Sequence, residues 1–174
     1  MTAGGLEKAF VDFSCDKLQQ YCDRICVCLH KLHSDQIWFR GSENQNAVGN
    51  IVLHLCGNLR QWIGFGVCGE PDVRQRDLEF SARGGTDSRQ LADNLREAVA
   101  DAVTGIRRIT PERLAQVTRV QGYDVTVLQA VYHVVEHFAG HAGQIIFCTK
   151  QFTGEALGFY AHLDSRRPHS ENSP

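Results

Sequence analysis

LEKAFVDFSCDKLQQYCDRICVCLHKL, residues 6–32, contains no proline and repeats apolar side chains at Leu6, Phe10, Phe13, Leu18, Tyr21, Ile25, Cys28 and Leu32. That three-and-four spacing predicts a long amphipathic helix with one apolar face. Outward from it, proline stays absent as far as Glu70 and occurs only 4 times in 174 residues, so long uninterrupted helices are permitted. A second helix is predicted from Asn46 to Val67, after Gly41 and the polar run Ser42 to Asn46. Its inward face reads Ile51, His54, Leu55, Asn58, Leu59 and Trp62. A third begins at Thr86 or Asp87, with Gln90 as a capping partner, and ends near Ile109 before Pro111. It turns Leu91, Leu95, Ala98, Ala102 and Ile106 inward and Arg89, Asp93, Arg96, Glu97 and Asp101 outward. A fourth runs from Val125 to Phe152 and is stopped by Gly154. Extended structure is confined to Val117–Val120. The class is all-α, and four stripes of similar length bury one another most simply as an up-down four-helix bundle. Residues 1–163 are expected to form a single domain and 164–174 a flexible polar tail.

Charge and composition exclude other classes. Lys plus Arg total 18 against 20 Asp plus Glu, so no broad cationic surface exists and nucleic acid is not an expected partner. Hydrophobic residues at 43% and charged residues at 22% lie far from the signature of disorder. The longest stretch free of Lys, Arg, Asp and Glu, Asn44 to Leu59, is too short and too polar to span a bilayer, so no membrane role is expected. Met1 to Lys8 lacks a basic segment followed by an apolar one, which makes the cytoplasm the expected compartment. The seven cysteines are odd in number and form no CxxC motif, which argues against a disulfide framework. Cys15, Cys22 and Cys26 fall on one helical stripe among Leu18, Tyr21, Ile25 and Leu29, where core packing is the better reading than a metal or redox role.

The histidines carry the chemistry. His133, His137 and His141 are spaced i, i+4, i+8 on the fourth helix, the spacing that stacks side chains one turn apart and suits a pair of metal ligands. His54 lies on the apolar face of the second helix, where an imidazole without a partner is costly to bury. His133-Val-Val-Glu136-His137 also matches H-x-x-E-H, but that protease signature needs an acidic ligand well downstream. Only Glu155, Asp164 and Glu171 follow.

Leu53-His54-Leu55-Cys-Gly-Asn58 together with His133-Val-Val-Glu-His137-Phe-Ala-Gly-His141-Ala-Gly143-Gln144-Ile145 resembles the DinB-like four-helix-bundle superfamily of proposed metalloenzymes, which includes bacillithiol transferase-like members. The resemblance covers about Leu6 to Phe159. It implies that His54, His137 and His141 bind a divalent metal, with His133 supporting them from one turn away. Ala142 stands where the superfamily's ending carries Arg. Three imidazoles suit Zn, Ni, Fe or Cu, and three protein ligands leave a coordination position open, as in catalytic rather than structural sites. Asn50 and Asn58, one turn either side of His54, and Gln144, three residues after His141, are placed to fix imidazole tautomers, although the asparagines serve equally as ordinary inter-helix bonds. Gly140 and Gly143 imply close approach of a helix or ligand, or packing alone.

The run Arg74-Gln-Arg76-Asp77-Leu-Glu79-Phe80 and Phe159-Tyr160-Ala-His162-Leu resemble one uncharacterised branch of the superfamily. The first reads as a solvated connection or as a lid whose Arg74 or Arg76 pairs a substrate carboxylate. The resemblance implies a small-molecule substrate, a homodimer and a low-molecular-weight thiol as co-substrate. Two functions follow as expectations: a metal-dependent S-transferase, isomerase or hydrolase, and a non-catalytic metal-binding or dimerising bundle.

Overall fold

The computed structural model describes residues 5–164, and residues 165–174 of the expected tail lie outside them. Four long helical stretches form the bundle: α1 (Gly5–Lys31), α3 (Val48–Leu59, prolonged by a π-helical turn, Arg60–Phe65), α5 (Ser88–Arg107) and α7 (Val127–Thr153). Between them lie the short helices α2 (Ser34–Ile37), α4 (Arg76–Ser81) and α6 (Pro111–Leu114), and α8 (Ala161–Asp164) follows. α1 packs against α5 and α7, and α3 packs against the same two. The first and second long helices, and the third and fourth, therefore sit across the diagonals, which the long connections 32–47 and 108–126 make possible, while α3 and α5 are neighbours.

The ends follow local chemistry. Asp87 caps α5 by accepting from the Gln90 N–H at 2.8 Å. Thr126 and Gln129 cap α7 reciprocally, Thr126 N–H to Gln129 Oε1 at 2.8 Å and Gln129 N–H to Thr126 Oγ1 at 3.2 Å. Gly154 ends α7 at φ 68°, a left-handed conformation that costs a side chain with Cβ.

The second helix keeps its expected inward face, since Ile51, His54, Leu55, Asn58, Leu59 and Trp62 are all buried. Its later part is π-helical rather than α-helical, and the wider turn leaves both Trp62 and Ile63 inward. Two expectations need correction. Leu6 and Phe13 are exposed at 81% and 63%, because the buried stripe of α1 runs through Val11, Cys15, Leu18, Cys22, Ile25 and Leu29, and Lys17 lies over the Phe13 ring instead. Extended structure also continues past Val120. β1 (Val117–Val120) pairs antiparallel with β2 (Tyr123–Thr126), Val120 opposite Tyr123, around Gln121 and Gly122, both at positive φ. Val120 is fully buried beside Gly66, where a Cβ would lie 2.2 Å from Val120 Cγ2, so the hairpin is pinned to the end of the π-helical turn.

All seven cysteines are free, and Cys15, Cys22 and Cys26 lie in the core as packing groups. No helix among the described residues is long and apolar enough to cross a membrane. Replacing Gly154 by Ala forces a Cβ into the left-handed region and should lower stability by about 1 kcal/mol. The urea midpoint should fall accordingly, and an unchanged midpoint would contradict this cap.

Candidate metal centre

α3 and α7 face each other across the bundle edge and bring together residues separated by more than eighty positions. His54 on α3 meets His137 and His141 on α7, with ring centroids 4.9 and 5.2 Å away, and His137 and His141 lie 4.5 Å apart. One ring nitrogen from each of the three falls within 4.8 Å of the others. His54 is buried and the other two are half-buried. His133 sits one turn on, stacked on His137 at 5.4 Å and against Trp62 at 4.1 Å, which places it as a packing neighbour of the cluster.

Hydrogen bonds behind the rings constrain their protons. His141 Nδ1 lies 2.8 Å from Gln144 Oε1, an oxygen that only accepts, so Nδ1 carries the proton and Nε2 the lone pair. His54 Nδ1 lies 3.0 Å from Glu79 Oε2, an acceptor, and 3.0 Å from Arg74 Nη2, a donor. Either tautomer of His54 is thereby satisfied. With the proton on Nε2 it is given to His137 Nε2 at 2.9 Å, and Nδ1 accepts from Arg74. With the proton on Nδ1 it is given to Glu79, and Nε2 turns a lone pair toward the cluster.

Glu79 is the functional residue that sequence reasoning missed. Periodicity reports neighbours within one or two turns, whereas α4 lays Glu79 on a helix position 25 residues earlier. Its only signal was membership of the charged 74–80 run. Burial works to raise its carboxyl pKa, but the hydrogen bonds from Arg74 and His54 outweigh that and hold it below the usual carboxylate range. Arg74 Nε bonds Oε1 at 2.7 Å and Nη2 bonds Oε2 at 2.8 Å, a two-pronged pair, while Nη1 bonds Gln61 Oε1 at 2.9 Å. The Arg74 side chain is only 3% exposed, so the arginine read as a clamp for a substrate carboxylate is occupied by an internal one. Arg76 remains at the surface, its guanidinium over the Phe80 ring at 4.8 Å, and Phe80 in turn packs on His54 at 4.9 Å. The 74–80 run is thus a short helix laid over His54 rather than a free connection.

Gly57 shows how tightly that helix is seated: a Cβ there would lie 1.9 Å from Glu79 Oε1. Asn50 does not reach an imidazole. It donates to the backbone carbonyls of Glu79 and Ala82 at 2.8 and 3.0 Å and so fastens the C-terminal end of this segment to α3. Asn58 is buried with no hydrogen-bond partner for its Oδ1 and makes no bond to the rings. Gly140 and Gly143 meet no atom within 4 Å of an added Cβ, because they lie on the outer side of α7, away from α1 and α3.

Burial pushes the His137 imidazole down to about 3, reinforced by the positive forms of His141, His54 and His133 and by Arg74. Burial lowers His133 and His141 as well. These rings are neutral at pH 7, the form that ligates metal. Neutral nitrogen donors, backed by an amide oxygen and a carboxylate, fit a divalent transition metal.

Residues 6–160 match a family described as a protein of unknown function, DUF1572. The chain belongs to this family. Among solved structures, this DUF1572 member is similar to a conserved protein from Enterococcus faecalis, with TM-score 0.70 and 15% identity over 83% of this chain and 97% of that one. It is also similar to a DinB-like protein, YjoA, from Bacillus subtilis, with TM-score 0.64 and 14% identity over 84% and 96% of the two chains. At such identities the likeness is one of fold. No curated protein matches the sequence. The family match thus makes the chain a DUF1572 protein, and the two structures show that its fold is a helical bundle shared with a DinB-like protein.

Two consequences are measurable. Glu79→Ala leaves the Arg74 guanidinium buried without its partner and should cost about 3 kcal/mol or more, read as a lower urea midpoint. In metal-free protein, His133, His137 and His141 bind protons less readily when folded than when unfolded. Below pH 6.5 the unfolded chain takes up protons first, so stability is complete above that pH and falls as the pH drops toward 3. The melting temperature should decline from pH 7.5 to 5, less steeply in His137→Gln, and a flat profile would contradict the placement of these rings.

Proposed function

We propose that this protein is a divalent-metal-dependent enzyme whose ligands are His54, His137 and His141, acting on a small molecule by thiol-dependent S-transfer, isomerisation or hydrolysis. The observation that carries this reading is the convergence of three imidazole nitrogens from two rigid helices, two of the rings held from behind by Glu79 and Gln144. A Zn, Ni or Fe ion there supplies Lewis acidity, which brings a water or a low-molecular-weight thiol toward its nucleophilic form near neutral pH.

The chain's own residues do the rest. His137 and His141 stay neutral and available through burial, and Gln144 holds His141 with its Nε2 toward the cluster. Glu79 accepts the Nδ1 proton of His54 when Nε2 is needed as a donor atom, and Arg74 keeps Glu79 ionised as it does so. Phe80 packs on the His54 ring and excludes water from that side. His133 and Trp62 wall the cluster along α7 and α3.

The protein is further read as one domain over residues 1–163, as a homodimer, and as cytoplasmic. Unpaired cysteines suit a reducing compartment. The outer face of α7, with Leu128, Tyr132 and Phe147 exposed around Gly140 and Gly143, supports pairing of two copies. That same face favours the second reading, a dimerising metal-binding bundle without catalysis.

Elemental analysis of untagged protein, as purified and after reconstitution with Zn or Ni, should find about one metal per chain, lost in His137→Ala. Metal with no turnover on thiol, electrophile and ester panels would leave the non-catalytic reading. No metal even after reconstitution would overturn both.

A further inference from the structure

The turn that closes α4 gathers arginines that form no ion pair among the described residues. The carbonyl oxygen of Phe80 accepts from Arg40 Nη2 at 2.6 Å and from Arg83 Nη1 at 3.0 Å. Two guanidinium groups bound to one oxygen can be no farther apart, nitrogen to nitrogen, than those two bonds laid end to end. Arg83 Nη1 is held further by the carbonyls of Ser81 and Ala82 at 2.8 and 3.1 Å, and Arg40 Nη2 by Asn50 Oδ1 at 2.7 Å. Both cations are therefore positioned by fixed backbone and a buried amide. Among the described residues no carboxylate lies within 4 Å of Arg40, Arg76 or Arg83.

Arg40 Nε is also buried without a hydrogen-bond partner. The three arginines share an open depression of about 560 Å³ with Asn46 and Ser81, and Glu43 and Asp77 line it too, which leaves one net positive charge. Loss of solvent, and then the charge of Arg83, press the Arg40 pKa below its ordinary value, as expected of a cation lacking a counter-charge. Guanidinium forks match the paired oxygens of phosphate and carboxylate groups.

We propose that Arg40 and Arg83, with Arg76 at the rim, bind the oxyanion of a small ligand, a phosphate or a carboxylate. No imidazole lines the depression, so this site stands independently of the metal reading. An ion seated there would also brace the turn that follows Glu79 and Phe80, which ties it physically to the helix over His54.

The test is calorimetric titration of chelator-treated protein at constant ionic strength, with inorganic phosphate in one arm and succinate in the other. Saturable binding near one equivalent is expected in at least one arm, and the tighter arm names the group. Arg83→Gln should weaken that binding about tenfold or more, the loss of a charged hydrogen-bonded fork. Arg83 is exposed, and Arg76→Gln serves as the second variant should the first unfold. His137→Ala should bind as the wild type does. Absence of saturable binding in both arms, binding undiminished in the folded arginine variant, or binding lost in His137→Ala would overturn the proposal.

Discussion

The buried chain of contacts from Arg74 through Glu79 to His54 is the constraint that organises one side of this bundle. Removing a carboxylate and a guanidinium from water costs several kcal/mol per ion, and the cost is tolerable only when every polar atom is matched. Here it is. Glu79 Oε1 takes Arg74 Nε, Oε2 takes Arg74 Nη2 and faces His54 Nδ1, and Arg74 Nη1 goes to Gln61. That saturation dictates local geometry: the chain after the π-helical turn must double back, α4 must lie on α3, and residue 57 must lack a side chain. Asn50 completes the arrangement by donating to the carbonyls of Glu79 and Ala82 at the C-terminal end of α4.

Rigidity at the imidazoles comes from the core behind them. On α7 the residues Ala130, Val134, Phe138, Ala142 and Ile145 are buried, and His137 and His141 each immediately precede one of these, Phe138 and Ala142. One residue is 100° of helix rotation, so both rings fall on the border of the buried stripe, turned toward α3 and not into the centre. His54 is held likewise by its neighbour Leu55, fully buried one step further round α3. The histidines are thus placed at an edge of the bundle, where a neutral ring can pack on one side and present nitrogen on the other. The hairpin β1–β2, pinned by Val120 against Gly66, fixes the far end of the same helix.

Much of this was legible locally. The four long helices, the cap at Asp87 and the stop at Gly154 depend on residues three or four apart, and such signals survive in sequence because the interactions are themselves local. The inward face of α3 and the buried stripe of α5 were readable for the same reason. Leu6 is exposed because an apolar residue at a helix end satisfies the period without having a partner to bury it, and Phe13 because it lies on the far side of α1 from the stripe through Val11 and Cys15. The second strand was missed because Tyr123-Asp-Val-Thr126 is short and half polar, and only its pairing with Val117–Val120 makes it a strand.

The sequence by itself determined that this chain is a set of amphipathic helices carrying histidines at metal-ligand spacing, and the resemblance named which three belong together. Tertiary structure alone decided that Glu79 backs His54, that Arg74 answers Glu79 rather than a ligand, that Gly140 and Gly143 face outward, and that Arg40 and Arg83 meet on one carbonyl oxygen. The physical reason is range. Helical periodicity encodes which side of a helix is apolar, whereas the pairing of buried charges depends on how a short turn folds back over a distant helix, and no local spacing records that.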